Sequence, residues 1–185
     1  MSAPSPRLRI LPTEEVTPEL LAELTMVCEA AFEKPFARVW ERIGPGIHVV
    51  ALDGGRVTAH AMVVDRRIYL GHEPDQALDV GYVENVASRP ELHGRGHGTA
   101  VMREINRLIA EEYALGALAT GSNGFYARLG WETWRGPTFV RMLDGERVRS
   151  ADQDGDVMVL RTPRTPADLD IAGPIAVDWR AEEPW

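Results

Sequence analysis

The chain holds one cysteine, Cys28, so no internal disulfide can staple it. No apolar run approaches the ~18 residues of a membrane-crossing helix. The opening MSAPSPRLRI has no apolar h-region of a secretory signal. These absences predict a reducing, cytoplasmic setting. The glycine-rich stretch around Gly94, Gly96 and Gly98 has no lysine, which excludes a P-loop. It has Thr99 where a dinucleotide fingerprint needs its third glycine. Gly94 rather than Glu follows His93, so His93 and His97 do not form an H-E-x-x-H zinc pair. The acids at Asp152, Asp154 and Asp156 miss the calcium loop of an EF-hand, since Val157 and Pro163 stand where Gly and Glu are required. No metal is expected, and there is no internal repeat or low-complexity segment.

What is present is enough for one domain. At 185 residues with 44% hydrophobic and 26% charged content, the chain can bury a sizeable core. We expect a single domain over 1–185 with an acidic tail from about residue 150. The net charge is −8, and from Ser150 onward eight acids face three arginines. That balance argues against nucleic acid and for a polycationic partner.

The pattern predicts α/β architecture with a central twisted mixed sheet flanked by helices. Residues 1–6 are expected to be loose, and Arg7–Leu11 a short strand. Thr17-Pro18 signals a helix start, with Cys28 on its apolar face as core packing. A short helix lies within 32–42. Strands at 46–52 and 57–70 are joined by an Asp53-Gly54 hairpin. A polar loop at 71–76 leads to a strand at 80–87. The strongest helix is 99–113, with Val101, Met102, Ile105 and Ile109 in one stripe. A strand at 115–120, a short helix at 121–129 closed by Gly130, a strand region at 131–142 and a last strand at 157–160 complete the expectation.

Chemistry centres on 80–99. An apolar strand, a glycine-rich turn and a helix start make an anion site from backbone N–H groups and helix polarity. Glu84 lies within the strand just before it. A carboxylate there is costly to bury unless paired or open to a cleft, and it could take a proton from an ammonium substrate. Tyr126, in GFYARLGW, is a phenol at the exposed end of a short helix and could protonate a leaving thiolate, or could simply be core.

The loop His93-Gly-Arg-Gly-His-Gly98 resembles the pyrophosphate loop of the GNAT acetyltransferases, [RQ]-x-x-G-x-[GA], with His93 replacing the first residue. FYARLGW resembles the segment carrying their tyrosine near the sulfur of coenzyme A. More narrowly, GYVENVASRPELHGRG, YALGALAT, YARLGWETWRGPT, DQDGDVMVL and the terminal DWRAEEPW are similar to the aminoglycoside 2′-N-acetyltransferases. The resemblance implies the GNAT fold and acetyl transfer from acetyl-CoA to an aminoglycoside 2′-amino group, by direct attack in a ternary complex, as an antibiotic-resistance activity. It implies that the Val86 and Ser88 backbone holds the pantetheine arm, with the Val86 N–H polarising the thioester carbonyl. His93, Arg95, Gly96, Gly98 and Thr99 would surround the pyrophosphate, Glu84 would be the base and Tyr126 the acid. Glu84, Asp152, Glu183 and Trp185, through its carboxylate, would meet the antibiotic, and a homodimer is implied. The sequence departs from the family at Pro35, Gln153 and Ala119, which bears on substrate breadth. Another small amine as acceptor, or a non-catalytic acyl-CoA-binding module, stays open at this point.

Overall fold

The structure, a computed structural model, describes residues 6–72 and 75–185. The expectation for residues 1–5 and part of that for the 71–76 loop fall outside it. The chain divides into two compact units, Met1–Val64 with Val83–Arg107 and Asp65–Tyr82 with Leu108–Trp185.

In the first unit, β1 (Arg7–Pro12) leads to α1 (Pro18–Phe32). Thr17 caps α1 by accepting from the Leu20 amide at 3.3 Å, and Pro18 takes the first turn where a missing N–H costs nothing. Then come α2 (Ala37–Ile43), β2 (Ile47–Asp53) and the start of β3 (Arg56–Leu70). β1 pairs antiparallel with β2, and β2 with β3 from Ile47 opposite Val63 to Asp53 opposite Arg56, closing the predicted hairpin. Leu24, Val27, Cys28, Phe36, Val39, Val50 and Val57 form the core under the two helices. Cys28 is fully buried, and burial, with Glu29 nearby, pushes its thiol up to about 12; it is packing, as its spacing predicts. β4 (Gln76–Ser88) runs through both units beside β3 and is longer than the 80–87 expected. The glycine loop follows, then α3 (His97–Glu112), which begins two residues before Thr99.

In the second unit, β5 (Leu115–Ala119) lies parallel to β4, with Gly81 opposite Gly116 and Tyr82 opposite Ala117. α3 is the crossover between these two strands, as parallel pairing requires. α4 (Asn123–Ala127) is shorter than predicted. β6 (Glu132–Thr133) and β7 (Thr138–Arg141) flank the Arg135-Gly136-Pro137 break. The break is steric: a Cβ on Gly136 would sit 1.8 Å from the Gly173 carbonyl oxygen, because the Ile171 carbonyl accepts from Arg135 and Gly136 here. β8 (Arg147–Arg149), β9 (Val157–Arg161) and β10 (Ile175–Asp178) follow. β8 and β10 correct the sequence-based expectation, in which 157–160 is the last strand. The acidic tail instead returns a strand into the sheet, antiparallel to β3 and parallel to β7. The order in this unit is β6-β9-β5-β4-β3-β10-β7-β8.

Candidate active site

β4 is distorted immediately after Glu84. Asn85 has φ 55°, a left-handed conformation inside a strand. Asparagine is among the few L-residues that accept it, and such outliers concentrate at functional positions. Four residues on, the Arg89 amide donates to the Thr58 carbonyl of β3 at 3.0 Å. Amide direction alternates along a strand, so the Val86 and Ser88 N–H groups point to the opposite edge of β4, away from β3. Both residues are half-buried. A donor row on an edge of this kind is what an added extended chain requires. Glu84, immediately before Asn85, is half-buried as well.

The loop after β4 is pinned to β3 at both ends. At its start, the buried Arg89 guanidinium donates to the Val57 carbonyl at 2.6 Å and lies 3.7 Å from Glu23. At its end, His97 is buried, and its Nδ1 lies 2.8 Å from the Thr58 hydroxyl. Thr58 donates its own proton to the Ala51 carbonyl, so His97 Nδ1 is the donor. Neither Arg89 nor His97 stands out in the sequence as a loop anchor. Between them, the Gly96 carbonyl accepts the Ala100 amide at 2.9 Å, which makes Gly96 the residue that opens α3. The amides of His97, Gly98 and Thr99 therefore belong to the first turn and have no intrahelical acceptor. Gly96 has φ 86°, and a Cβ built there would meet open space, so glycine is needed for conformation rather than for room. One expected member of the cradle is otherwise engaged: the Arg95 amide donates to the Leu92 carbonyl at 3.2 Å. Its exposed side chain, like that of His93, stands at the surface of the loop. Open amides at a helix start, an exposed arginine and glycines at positive φ suit a pyrophosphate.

In the second unit, Tyr126 corrects its description as a phenol at an exposed helix end. It is buried at 8% exposure, with its ring edge-on to Phe125 at 5.0 Å and Trp131 at 6.3 Å. Burial pushes the phenol up to about 12, and a hydrogen bond with the Thr120 side chain partly opposes that shift. Thr120, which no sequence pattern singles out, is thus the phenol's partner. Its amide donates to the Asp156 carbonyl at 2.9 Å, and Asn123 donates to the Gly155 carbonyl at 2.8 Å. The tyrosine helix is therefore tied to the acidic loop after β8.

That loop sorts its acids. Asp154 accepts from the Thr138 amide at 3.0 Å and pairs with Arg149, which holds its carboxyl down at about 2. It is a structural carboxylate. Asp152 is exposed and accepts from Gln153 at 3.2 Å. The tail comes back to the same loop. Trp185 is buried at 8% exposure, and its indole N–H donates to the Ser150 hydroxyl at 3.0 Å. Arg66 clamps the approach through the Asp178 and Pro184 carbonyls, at 2.9 and 2.6 Å. Glu183 is exposed, with its carbonyl accepting from Arg180 at 2.8 Å.

The acetyltransferase (GNAT) domain family matches residues 14–134. The chain is 35% identical over 182 residues to the aminoglycoside 2′-N-acetyltransferase of Mycolicibacterium fortuitum, covering 96% of this chain and 91% of that protein. Among solved structures, it is similar to a GNAT family N-acetyltransferase from Escherichia coli in complex with CoA. The TM-score is 0.64 at 16% identity, covering 96% of this chain and 93% of that one. It is also similar to a GNAT acetyltransferase from Brucella melitensis in complex with acetyl-CoA. Here the TM-score is 0.53 at 20% identity, over 92% and 95% of the two chains. At these identities the two structures bear on the fold alone.

Proposed function

The chain belongs to the GNAT acetyltransferases and is an acetyl-CoA-dependent N-acetyltransferase, and from that premise we propose that its acceptor is the 2′-amino group of an aminoglycoside. The observation that carries this choice is the tail. The Trp185 indole is buried and hydrogen-bonded to Ser150, so the exposed Glu183 two residues before it stays with the loop that presents Asp152. A polycationic sugar needs several carboxylates, and the tail held against this loop brings Glu183 to the side of Asp152.

Each residue then has a role. The Val86 and Ser88 amides would bind the pantetheine arm as an added strand. The Val86 N–H would meet the charge that develops on the thioester oxygen. The amides of Gly96, Gly98 and Thr99, with the exposed Arg95 and His93 side chains, would surround the pyrophosphate. Glu84 would take a proton from the substrate ammonium, through water, so that the neutral amine attacks. Tyr126 would deliver its proton to the departing thiolate, and the second proton that nitrogen loses as the amide forms would restore the phenol. Acetyl passes directly to the amine, so no protein nucleophile is needed, in keeping with the inert Cys28. The reading also extends to a homodimer working in the cytoplasm.

Released thiol from acetyl-CoA tests the substrate. Kanamycin B, which carries a 2′-amino group, should be turned over; kanamycin A, with a 2′-hydroxyl, should give no 2′ product. Turnover of unrelated amines only would move the chain to another acceptor class. Trp185→Ala, which removes the indole bond to Ser150 and so loosens Glu183 from this loop, should raise KM for the antibiotic about tenfold, the scale of one lost charge-assisted hydrogen bond. The affinity for acetyl-CoA should stay the same. An unchanged KM would remove the tail from substrate binding.

A further inference from the structure

Two histidines that no role above uses lie buried under the strand distortion. His48 of β2 and His60 of β3 are 1% and 0% exposed. In the ladder Val50 faces His60 and His48 faces Met62, so the imidazoles are diagonal neighbours on one face. His48 Nδ1 lies 3.0 Å from His60 Nε2, and His60 Nδ1 lies 3.2 Å from the Asn85 carbonyl oxygen. At the other end, His48 Nε2 lies 3.1 Å from the Thr13 hydroxyl. The Trp40 ring packs against both imidazoles, at 5.9 and 5.7 Å.

One carbonyl fixes every proton in this chain. A carbonyl can only accept, so His60 Nδ1 carries a hydrogen. Burial, the main cause, brings His48 down to about 4 and His60 to about 3, so both rings are neutral at ordinary pH. His60 Nε2 is then bare and accepts from His48 Nδ1. His48 Nε2 is bare in turn and accepts from Thr13. The Thr13 hydroxyl accepts the Gly46 amide at 2.9 Å and lies 3.0 Å from the Gly46 carbonyl; with His48 Nε2 bare, its one proton turns to the imidazole, and the carbonyl keeps the Thr13 amide at 3.0 Å. The result is a one-directional relay, Thr13 to His48 to His60 to Asn85.

Its end point is the peptide that matters. The Asn85 carbonyl and the Val86 N–H belong to one planar trans unit and point in opposite directions. Holding the carbonyl toward β3 aims the Val86 amide at the far edge of β4. A left-handed Asn85 is otherwise strained and gives the peptide room to rotate. We propose that His60, oriented by His48 and Thr13, is a positioning residue that fixes the Asn85–Val86 peptide and so aims the Val86 N–H at the thioester oxygen. This rests on the oxyanion role given to Val86 above.

The wild-type protein provides the first test. Long-range ¹⁵N–¹H spectra at neutral pH should show the Nδ1–H tautomer on both His48 and His60; an Nε2–H on either ring overturns the relay. The second is kinetic. His60→Leu keeps the site filled but removes the donor, and should lower kcat about tenfold or more, a fraction of what loss of a whole oxyanion donor costs. Affinity for acetyl-CoA should move less than about twofold. His60→Asn places an amide N–H near the former Nδ1 and should restore most of kcat. Equal kcat in wild type and His60→Leu, or equal losses in the Leu and Asn variants, overturns the positioning role. The Val86 amide resonance separates this failure from that of the underlying reading. If it does not respond to acetyl-CoA in the wild type, the oxyanion role fails and the inference with it. If it responds equally in wild type and His60→Leu, only the positioning role fails.

Discussion

Glu84→Gln should lower kcat/KM by about a hundredfold or more near pH 6, the lower range for loss of a general base, and by far less near pH 9. The pH dependence matters more than the size. Direct attack needs a neutral amine, and an aminoglycoside amine is mostly ammonium in mildly acidic solution. A base must then remove a proton for every turnover. In alkaline solution the amine arrives deprotonated, so Glu84 has less to do and the variant should approach the wild type. Glutamine has nearly the same shape, and the half-buried position in β4 should keep it in place, so thermal unfolding should be little changed. A deficit that is flat with pH and resides in KM would make Glu84 an ammonium-binding carboxylate. Unchanged rates at every pH would take it out of the site.

The sequence carries what is local. The Thr17-Pro18 helix start, the Asp53-Gly54 hairpin and the apolar stripe of α3 each reside within a few turns of chain, and each forms as its pattern predicts. The glycine loop is legible for the same reason, since its conformation is written in its glycines. What stays hidden depends on distant partners. Ile175–Asp178 is four residues in a proline-rich acidic tail, and it becomes a strand only because β3 and β7 accept it on either side. His48 and His60 each read as an unremarked polar residue in an apolar strand; only the ladder register sets one diagonal to the other. The left-handed turn at Asn85 has no signal at all in GYVENVAS, because asparagine is equally at home in ordinary conformations. For Tyr126 the residue pattern leaves acid and core packing even, and the structure makes it both buried and hydrogen-bonded.

That double character makes Tyr126→Phe the sharper test of the acid. Phenylalanine keeps the ring that packs edge-on to Phe125 and Trp131, so what is lost is the O–H and its bond to Thr120. The expected result is a fall in kcat of about a hundredfold with KM nearly constant, since the proton is delivered as the thiolate leaves and not when substrates bind. With the phenol held at about 12, its acid form is fully present throughout the working range. The wild-type rate should therefore show no decline from phenol ionisation below about pH 11. A hydrogen bond from Thr120 makes the phenol a stronger acid than burial alone would leave it. Thr120→Val should then weaken the acid without removing it, and cost only a few-fold in kcat. The two variants bracket the role: a large loss with Phe and a small one with Val at position 120 is the signature of proton delivery. Equal kcat for wild type and Tyr126→Phe at neutral pH would return Tyr126 to the core and leave the thiolate to find its proton in water.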